Sequence, residues 1–313
     1  MNPTAADIAL LALGVTALLV VLTIVGEIAR VRTGSAESPV LETYMTRIRS
    51  WWVMVALISL ALLSGRTGIV LLTAFASFAA LREFLTLTTK DPADHLSLAL
   101  AFYVVLPLQY LLVWLRWEGL HAIFIPVLAF LFLPVVSALR GRPKRFLVRI
   151  AETQWALMIC IFCVSHLAAP TMLTAPGWAD RSVLMVAFLV LTVQLGDLAD
   201  YYVGRRIGRR RIAAEISPRT WAGFGAGLLA SALIGLVISW IVPFGPAGSM
   251  AMAALSFAAG TCGNLVMSAI KADRGVRDFS HLIPGQGGFV DQLDSVIFAA
   301  PVFYAVVRLF WLR

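Results

Sequence analysis

Ten apolar runs constrain the fold of this chain more than any other feature of its sequence. A helix that crosses the hydrocarbon core of a bilayer needs about 20 apolar residues, or about 17 at the lower limit. Hydrophobic residues make up 60% of the chain and charged residues only 13%, against about 25% charged in a typical soluble domain. We therefore predict an all-α polytopic membrane protein with about ten transmembrane helices. The predicted spans are residues 7–29, 50–65, 67–82, 96–115, 120–139, 154–170, 182–199, 221–243, 248–270 and 292–311.

The Lys and Arg residues predict the orientation of these spans. With the N-terminus outside, twenty of the 25 basic residues fall in the inner loops, and such enrichment is typical of cytoplasmic loops. The formal net charge of +8 then reflects orientation and attraction to anionic headgroups. We expect the lipid bilayer to be a partner, and we expect no nucleic acid. The expected location is the cytoplasmic membrane of a bacterium, with the polar site facing the cytoplasm.

The ionisable residues divide the chain into two halves. Residues 1–170 hold few of them within spans, and we interpret this part as an N-terminal transmembrane scaffold. Within it, Arg82 and Glu83 lie at a span end, where long side chains can reach the interface. Residues 40–50 are interpreted as a linker or an interfacial stretch. Residues 171–313 are interpreted as a C-terminal catalytic transmembrane region.

Span seven ends in carboxylates on the predicted cytoplasmic side. Asp197 and Asp200 are three residues apart and therefore share one helix face. Carboxylates at a membrane edge are candidates for function. Tyr201 follows them, and then Gly204 and Gly208, whose spacing of four opens a groove for close packing on a helix. This end of the span is a candidate part of a site.

A basic run and a Ser-Pro step connect spans seven and eight. The five arginines between residues 205 and 211 either anchor the chain to anionic headgroups or contact a phosphate group of a ligand. Ser217 and Pro218 predict a helix start, because a hydroxyl can cap the first turn and proline suits that turn. A helix N-terminus on the cytoplasmic side is a candidate anion site, although Ser-Pro steps begin many ordinary helices.

Polar residues also mark the last two spans. Asn264, Ser268 and Lys271 fall on one face of span nine at i, i+4 and i+7. Asp291 and Asp294 are three residues apart at the start of span ten. A cation between these two carboxylates would remove their repulsion, and the positive N-terminal end of a helix would also tolerate them. Both explanations stay open on the sequence alone.

A glycine-rich segment joins these two spans. It runs from Pro284 to Gly288 and reads PGQGG. Glycine has no Cβ, so its backbone can approach a ligand closely. Such a loop, a basic side chain and several carboxylates together suit a metal-bound polyphosphate.

Residues 197–227 and 263–295, about a fifth of the chain, resemble the phosphatidate cytidylyltransferase (CDP-diacylglycerol synthase) family. The closing motif of that family runs S-x-x-K-R-x4-K-D and then H-G-G-x-x-D-R-x-D. It is matched by Ser268, Lys271, Asp278, Gly287, Gly288, Asp291 and Asp294. The upstream pattern is an Asp, then A-Y-x-x-G-x-x-x-G-K, then S-P-x-K-T-x-E-G. It is matched by Asp197, Tyr201, Gly204, Gly208, Ser217, Pro218, Thr220 and Gly223.

The resemblance implies a reaction and a site. Phosphatidate, or a related lipid phosphate, attacks the α-phosphorus of CTP and gives CDP-diacylglycerol and pyrophosphate. The implied cofactor is Mg²⁺, a second cation such as K⁺ is compatible with the site, and a homodimer is compatible with the family. The implied metal ligands are Asp197, Asn264, Asp291 and Asp294. The implied catalytic residues are Ser268, Lys271, Asp278 and Asp291. The implied substrate-binding residues are Tyr201, Ser217, Arg219, Thr220, Arg277, Gly287 and Gly288.

The chain departs from the family pattern in ways that concern the metal and the triphosphate. Asn264 stands where the family usually has an aspartate ligand. An amide keeps a carbonyl oxygen but loses the charge, so we expect weaker cation binding. The other departures are Ala272, Arg277, Gln286 and Gln292 in the closing motif, and Ala222 and one missing residue in the upstream motif.

Other functions stay open alongside the cytidylyltransferase. A CTP-dependent lipid kinase would give a phospholipid and CDP instead of a CDP-lipid and pyrophosphate. A catalytically silent lipid-binding relative and a transporter are the alternatives that are not enzymes. A transporter should carry polar residues through both halves of the chain, and the first half carries few.

Overall fold

The described part of the chain folds as a bundle of ten main helices. The structure is a computed structural model that describes residues 3–33, 39–88, 91–141, 143–173, 178 and 181–311. Within these ranges the helices, named α1 to α10 in chain order, are α1 (Pro3–Thr33), α2 (Pro39–Leu63), α3 (Gly65–Thr86), α4 (His95–Trp114), α5 (Glu118–Ala138), α6 (Phe146–Met172), α7 (Ser182–Ile207), α8 (Trp221–Val237), α9 (Gly245–Arg274) and α10 (Phe289–Trp311). Short 3₁₀ turns at Pro92–Asp94 and Ser239–Ile241 join some of them.

The prediction of an all-α polytopic membrane protein is confirmed. In the part of the chain that the structure describes, nine helices are long and apolar enough to cross a bilayer, and α8 is a shorter apolar helix. Each predicted span falls on one of the ten helices. The hairpin between the second and third spans turns at Gly65, whose φ of +67° is a left-handed conformation that suits glycine.

The interpretation of residues 40–50 as a linker is wrong, because α2 already begins at Pro39. This segment packs on α1, where Gly26 leaves space for the side chains of Tyr44 and Met45. The Tyr44 hydroxyl donates a hydrogen bond to the Leu22 carbonyl oxygen over 3.0 Å. Packing against α1 therefore extends the second helix beyond its apolar stretch.

The helices differ in how far they are enclosed. In α6, 78% of the most apolar 18-residue stretch is buried, whereas in α1 only 11% is buried. Ala156, Leu157 and Ile161 of α6 pack with Phe188 of α7 and Phe303 of α10 in the apolar core. The centre of the bundle therefore contains α6, α7 and α10, and α1 presents most of its surface to the surroundings.

Close packing between α7 and α8 depends on the two glycines that the sequence predicted to form a groove. A Cβ on Gly204 would lie 2.9 Å from the Thr220 hydroxyl oxygen, and a Cβ on Gly208 would collide with the same group. Gly223 of α8 approaches α7 so closely that a side chain there would collide with Asp200. The prediction of a packing groove is confirmed, and it brings the acidic end of α7 against the start of α8.

The N-terminal half contributes a buried carboxylate to the start of α10. Glu83 of α3 is 3% exposed. It accepts hydrogen bonds from the backbone N–H groups of Phe289 and Val290, both at 3.0 Å, and from the Ser280 hydroxyl at 2.7 Å. The first N–H groups of a helix have no partner within it, so Glu83 caps α10 from another helix. A side chain at Gly288 would collide with this carboxylate.

The interpretation of Glu83 as a side chain that reaches the membrane interface is therefore wrong. Its carboxylate lies inside the protein, where N–H donors and the positive end of the α10 dipole compensate its charge. The division into residues 1–170 and 171–313 remains a prediction, and the contact between Glu83 and α10 crosses that boundary.

We predict that Glu83→Ala lowers the free energy of unfolding in detergent by about 3 kcal/mol, because it leaves buried N–H donors without their acceptor. A denaturant titration followed by circular dichroism measures the change. The control is Arg82→Ala, an exposed neighbour, which should change the value by no more than about 0.5 kcal/mol. Equal losses in the two variants would contradict the capping role.

Candidate functional site

Arg219 is the centre of a polar cluster at the end of the bundle that carries residues 208–220 and 275–288, which we call the loop end. Its Nη1 donates to Asp200 Oδ2 over 2.5 Å and its Nη2 donates to Asp197 Oδ1 over 2.8 Å. Its Nε donates to Asn264 Oδ1 of α9 over 2.8 Å. One guanidinium thus joins two carboxylates of α7 to an amide of α9.

The guanidinium of Arg219 stays positively charged although its side chain is only 13% exposed. Burial by itself would lower the pKa of Arg219, but the adjacent Asp197 and Asp200 charges outweigh it and raise the pKa above its usual value. The guanidinium therefore stays protonated at every physiological pH. It compensates carboxylates that would otherwise be buried without a partner, which is costly.

The backbone around Arg219 fixes its position. The Ser217 hydroxyl accepts from the Arg219 N–H over 3.3 Å, and the Arg219 carbonyl accepts from the Ile212 N–H over 3.0 Å. Thr220 has an extended conformation, and its hydroxyl accepts from the Gly223 N–H over 3.1 Å. Hydrogen bonds therefore fix the backbone of Arg219 and of Thr220, which caps α8.

The helix start predicted at Ser217 and Pro218 is wrong. Thr220 is the capping residue, and α8 begins at Trp221. The reason is tertiary: residues 210–212 pair with residues 219–221 through backbone hydrogen bonds. This pairing keeps the segment extended, so that the Arg219 side chain can reach α7 and α9.

A second link connects α9 to α10. The Asn264 Nδ2 donates to Asp294 Oδ2, and Asp294 Oδ1 accepts from the Ser295 N–H over 2.6 Å. Asn264 therefore accepts from Arg219 and donates to Asp294 at the same time. A carboxylate at this position could accept but not donate, and it would repel Asp294.

Lys271 and Asp291 form a separate ion pair next to the glycine-rich segment. Lys271 Nζ lies 3.0 Å from Asp291 Oδ1. Asp291 Oδ2 accepts from the N–H groups of Phe279 and Gly288, at 2.8 and 2.9 Å. Gly287 has a φ of +84°, and a Cβ there would lie 2.6 Å from the same carboxylate. Asp291 thus holds both ends of the loop between α9 and α10.

The residues predicted to bind a metal fall into two sets of contacts. Asp197 and Asn264 accept from Arg219, and Asn264 donates to Asp294. Asp291 instead contacts Lys271 and the loop N–H groups. Among the described residues, no three His, Cys, Asp or Glu side chains are grouped as a set of metal ligands. Carboxylate and amide oxygens are the ligand types that Mg²⁺ uses. The oxygen atoms around Arg219 are therefore of the types that bind Mg²⁺, and the Arg219 guanidinium lies among them.

The other predicted site residues lie in three places. Ser268 lies on α9 between Asn264 and Lys271. Tyr201 is exposed, and its hydroxyl accepts from Arg205 over 3.0 Å. A crevice at the loop end is lined by Arg277, Asp278 and Gly287.

Three residues of the N-terminal half contact the loop end and were not predicted to do so. Glu83 caps α10, and a carboxylate within an apolar span was a signal that could have indicated it. Arg47 of α2 donates from Nε to the Gly285 carbonyl over 3.1 Å, and the Ser50 hydroxyl donates to the Pro284 carbonyl over 3.1 Å. No local signal in the sequence indicates a contact between residues so far apart.

Comparison with known proteins identifies the family of the chain. The sequence model of the Cytidylyltransferase family matches residues 45–310, which include every predicted site residue. "Uncharacterized protein YnbB" of Escherichia coli (strain K12) is 34% identical over 264 residues, covering 84% of this chain and 86% of that protein.

Relatives with a named activity are similar over a shorter stretch. A "Phosphatidate cytidylyltransferase" of Aquifex aeolicus (strain VF5) is 30% identical over 129 residues, covering 41% of this chain and 49% of that protein. A protein of the same name from Brucella suis biovar 1 (strain 1330) is 32% identical over 127 residues, covering 40% and 47%. The chain thus spans about half the length of these two relatives. The family match is far longer, and the chain therefore belongs to the Cytidylyltransferase family.

Proposed function

We propose that this protein transfers the CMP unit of CTP to phosphatidate or a related lipid phosphate. The observation that carries the proposal is the convergence of two basic and four acidic side chains at one end of a membrane bundle. They come from α7, α9, α10 and the loop before α8, and they are Asp197, Asp200, Arg219, Lys271, Asp291 and Asp294. This chain matches two relatives named phosphatidate cytidylyltransferase over about half of their length, and those names support this choice of substrates.

The proposed reaction is a substitution at phosphorus. An oxygen of the lipid phosphate attacks the α-phosphorus of CTP, the bond from that phosphorus to the bridging oxygen breaks, and pyrophosphate leaves. The products are CDP-diacylglycerol and pyrophosphate. Such reactions depend mainly on positioning and on neutralising negative charge. Arg219 and Lys271 are the cations of this chain that we assign to the phosphate groups.

Mg²⁺ is part of the proposal. Asp197, Asn264 and Asp294 would hold it, with Asp291 as the further ligand that the family motif implies. When bound, the ion would neutralise charge on the triphosphate and on the leaving pyrophosphate. Arg219 pairs with Asp197 and Asp200 in this structure, so in this arrangement its guanidinium would turn toward the phosphate groups and leave the carboxylates to the ion.

The loop end is proposed to face the cytoplasm of a bacterial cell, where CTP is available. Twenty of the 25 Lys and Arg residues lie in the loops that the predicted topology places on that side, as expected for cytoplasmic loops. The lipid phosphate would then come from the inner leaflet of the cytoplasmic membrane.

Two observations favour a second function, that of a lipid-binding relative without catalysis. Arg219 already compensates Asp197 and Asp200, and Asn264 supplies an amide where the family pattern has a carboxylate. Both features reduce the uncompensated negative charge that would attract a cation to the site.

The test is incubation of the purified protein in detergent with radiolabelled CTP, phosphatidate and Mg²⁺, beside a competent cytidylyltransferase. A CDP-lipid and pyrophosphate would support the proposal. A phospholipid and CDP would show a lipid kinase. No product from any acidic phospholipid, with the control enzyme active, would favour the silent relative.

We predict that Arg219→Ala lowers the rate of CDP-lipid formation by about 100-fold, because it removes a buried cation from the phosphate site. Arg209→Ala is the matched control, since Arg209 is an exposed arginine of the neighbouring basic run, and its rate should stay within about twofold of the natural chain. Initial rates measured with labelled CTP decide the matter. An equal loss in both variants would contradict a specific role for Arg219.

We predict that Asn264→Asp makes the stability of the protein depend on Mg²⁺. The new carboxylate faces Asp294 and repels it, so the melting temperature in EDTA should fall by several degrees, consistent with a loss of about 1–2 kcal/mol. Added Mg²⁺ should restore it by binding between the carboxylates. Thermal unfolding with and without Mg²⁺ measures this. A variant that melts at the same temperature in EDTA and in Mg²⁺ would contradict the assignment.

A further inference from the structure

The crevice at the loop end that Arg277, Asp278 and Gly287 line lies between α2 and the glycine-rich segment. Its volume is about 380 Å³. Arg47 of α2 lines one side, and Arg277, Asp278 and His281 line the other, together with the backbone of residues 283–287. Two arginines and a histidine face a single carboxylate, so the crevice favours an anion.

The chemistry of these walls suits a phosphate group. A guanidinium has five N–H donors in a fixed fork, which matches the oxygens of phosphate. Arg47 uses its Nε for the Gly285 carbonyl oxygen. Gly285 and Gly287 have φ values of +74° and +84°, a conformation that favours glycine, and a Cβ at these positions would approach Thr46 and Asp291.

The crevice is held in shape by α2. The Gln286 side-chain amide donates to the Arg47 carbonyl over 3.0 Å, while Arg47 donates to Gly285. The Ser50 hydroxyl donates to the Pro284 carbonyl over 3.1 Å. Three hydrogen bonds therefore fix the glycine-rich segment against α2, and they fix the position of Arg47 relative to that segment.

The crevice is also connected to the Lys271–Asp291 ion pair. Asp278 and Gly287 line the crevice, and the next residue after each, Phe279 and Gly288, donates its N–H to Asp291. A ligand in the crevice would therefore contact residues that are adjacent in sequence to the two residues whose N–H groups bind Asp291.

We propose that this crevice binds a phosphate group of one substrate and that Arg47 contacts it directly. The proposal rests on the proposed function for the identity of the substrate, since the phosphate belongs either to the nucleotide or to the lipid. It assigns a binding role to a residue of the N-terminal half, which the sequence indicated to be scaffold.

The test compares Arg47→Gln with Arg49→Gln, which removes the same charge from an exposed position of the same helix outside the crevice. Thermal unfolding is recorded with inorganic pyrophosphate and, separately, with phosphatidate in mixed micelles. We expect one of these ligands to raise the melting temperature of the natural chain and of Arg49→Gln but not of Arg47→Gln. The ligand that does so identifies the source of the phosphate. No shift in the natural chain, or an equal loss in both variants, would overturn the proposal.

Kinetics provide a second measurement where the protein forms CDP-lipid. Arg47→Gln should raise the KM for the identified substrate about tenfold, the effect of one lost charge-assisted hydrogen bond, and should leave the other KM and kcat within about twofold. Arg47→Lys should recover part of the loss. If the natural chain forms no CDP-lipid, the proposed function fails, while the unfolding experiment still tests the crevice.

Discussion

The loop end of this protein depends on one buried cation. Arg219 joins Asp197 and Asp200 of α7 to Asn264 of α9, and Asn264 continues the chain of contacts to Asp294 of α10. Carboxylates in a largely apolar bundle are unfavourable unless they are paired and hydrogen-bonded. A single guanidinium with several directed donors satisfies this need and fixes three helices relative to one another. The acidic side chains that carry the proposed chemistry can be buried together because of it.

The N-terminal half takes part in the site as well as supporting it. Glu83 of α3 caps α10, and Arg47 and Ser50 of α2 bind the carbonyl groups of the glycine-rich segment. The loop between α9 and α10 is thus held by α2 and α3 on one side and by Asp291 on the other. The conformation of this loop therefore depends on contacts from both halves of the chain.

The departures from the family motifs have a physical meaning in this structure. Asn264 can donate to one neighbour and accept from another, which a carboxylate cannot do. Gln286 donates to the Arg47 carbonyl, Gln292 donates to the Gln286 carbonyl, and Gln194 donates to the Gln292 carbonyl. Neutral amides therefore link α2, the loop, α10 and α7 at positions where the family motif has a histidine and an arginine. The network is satisfied by hydrogen bonds rather than by extra charge.

The sequence by itself determined the ten helices, because apolar length is a local property that a bilayer-spanning helix requires. It also identified Asp197, Asn264, Lys271, Asp291 and Asp294 as polar residues that need partners. Only the tertiary structure decided which partners they have. Arg219 could not be assigned to them, because the sequence predicted a helix start at Ser217 and Pro218. In the structure, residues 219–221 instead pair with residues 210–212 through backbone hydrogen bonds. Glu83 and Arg47 contact residues about 200 positions away, and no periodicity or spacing records a contact that arises only when distant helices pack.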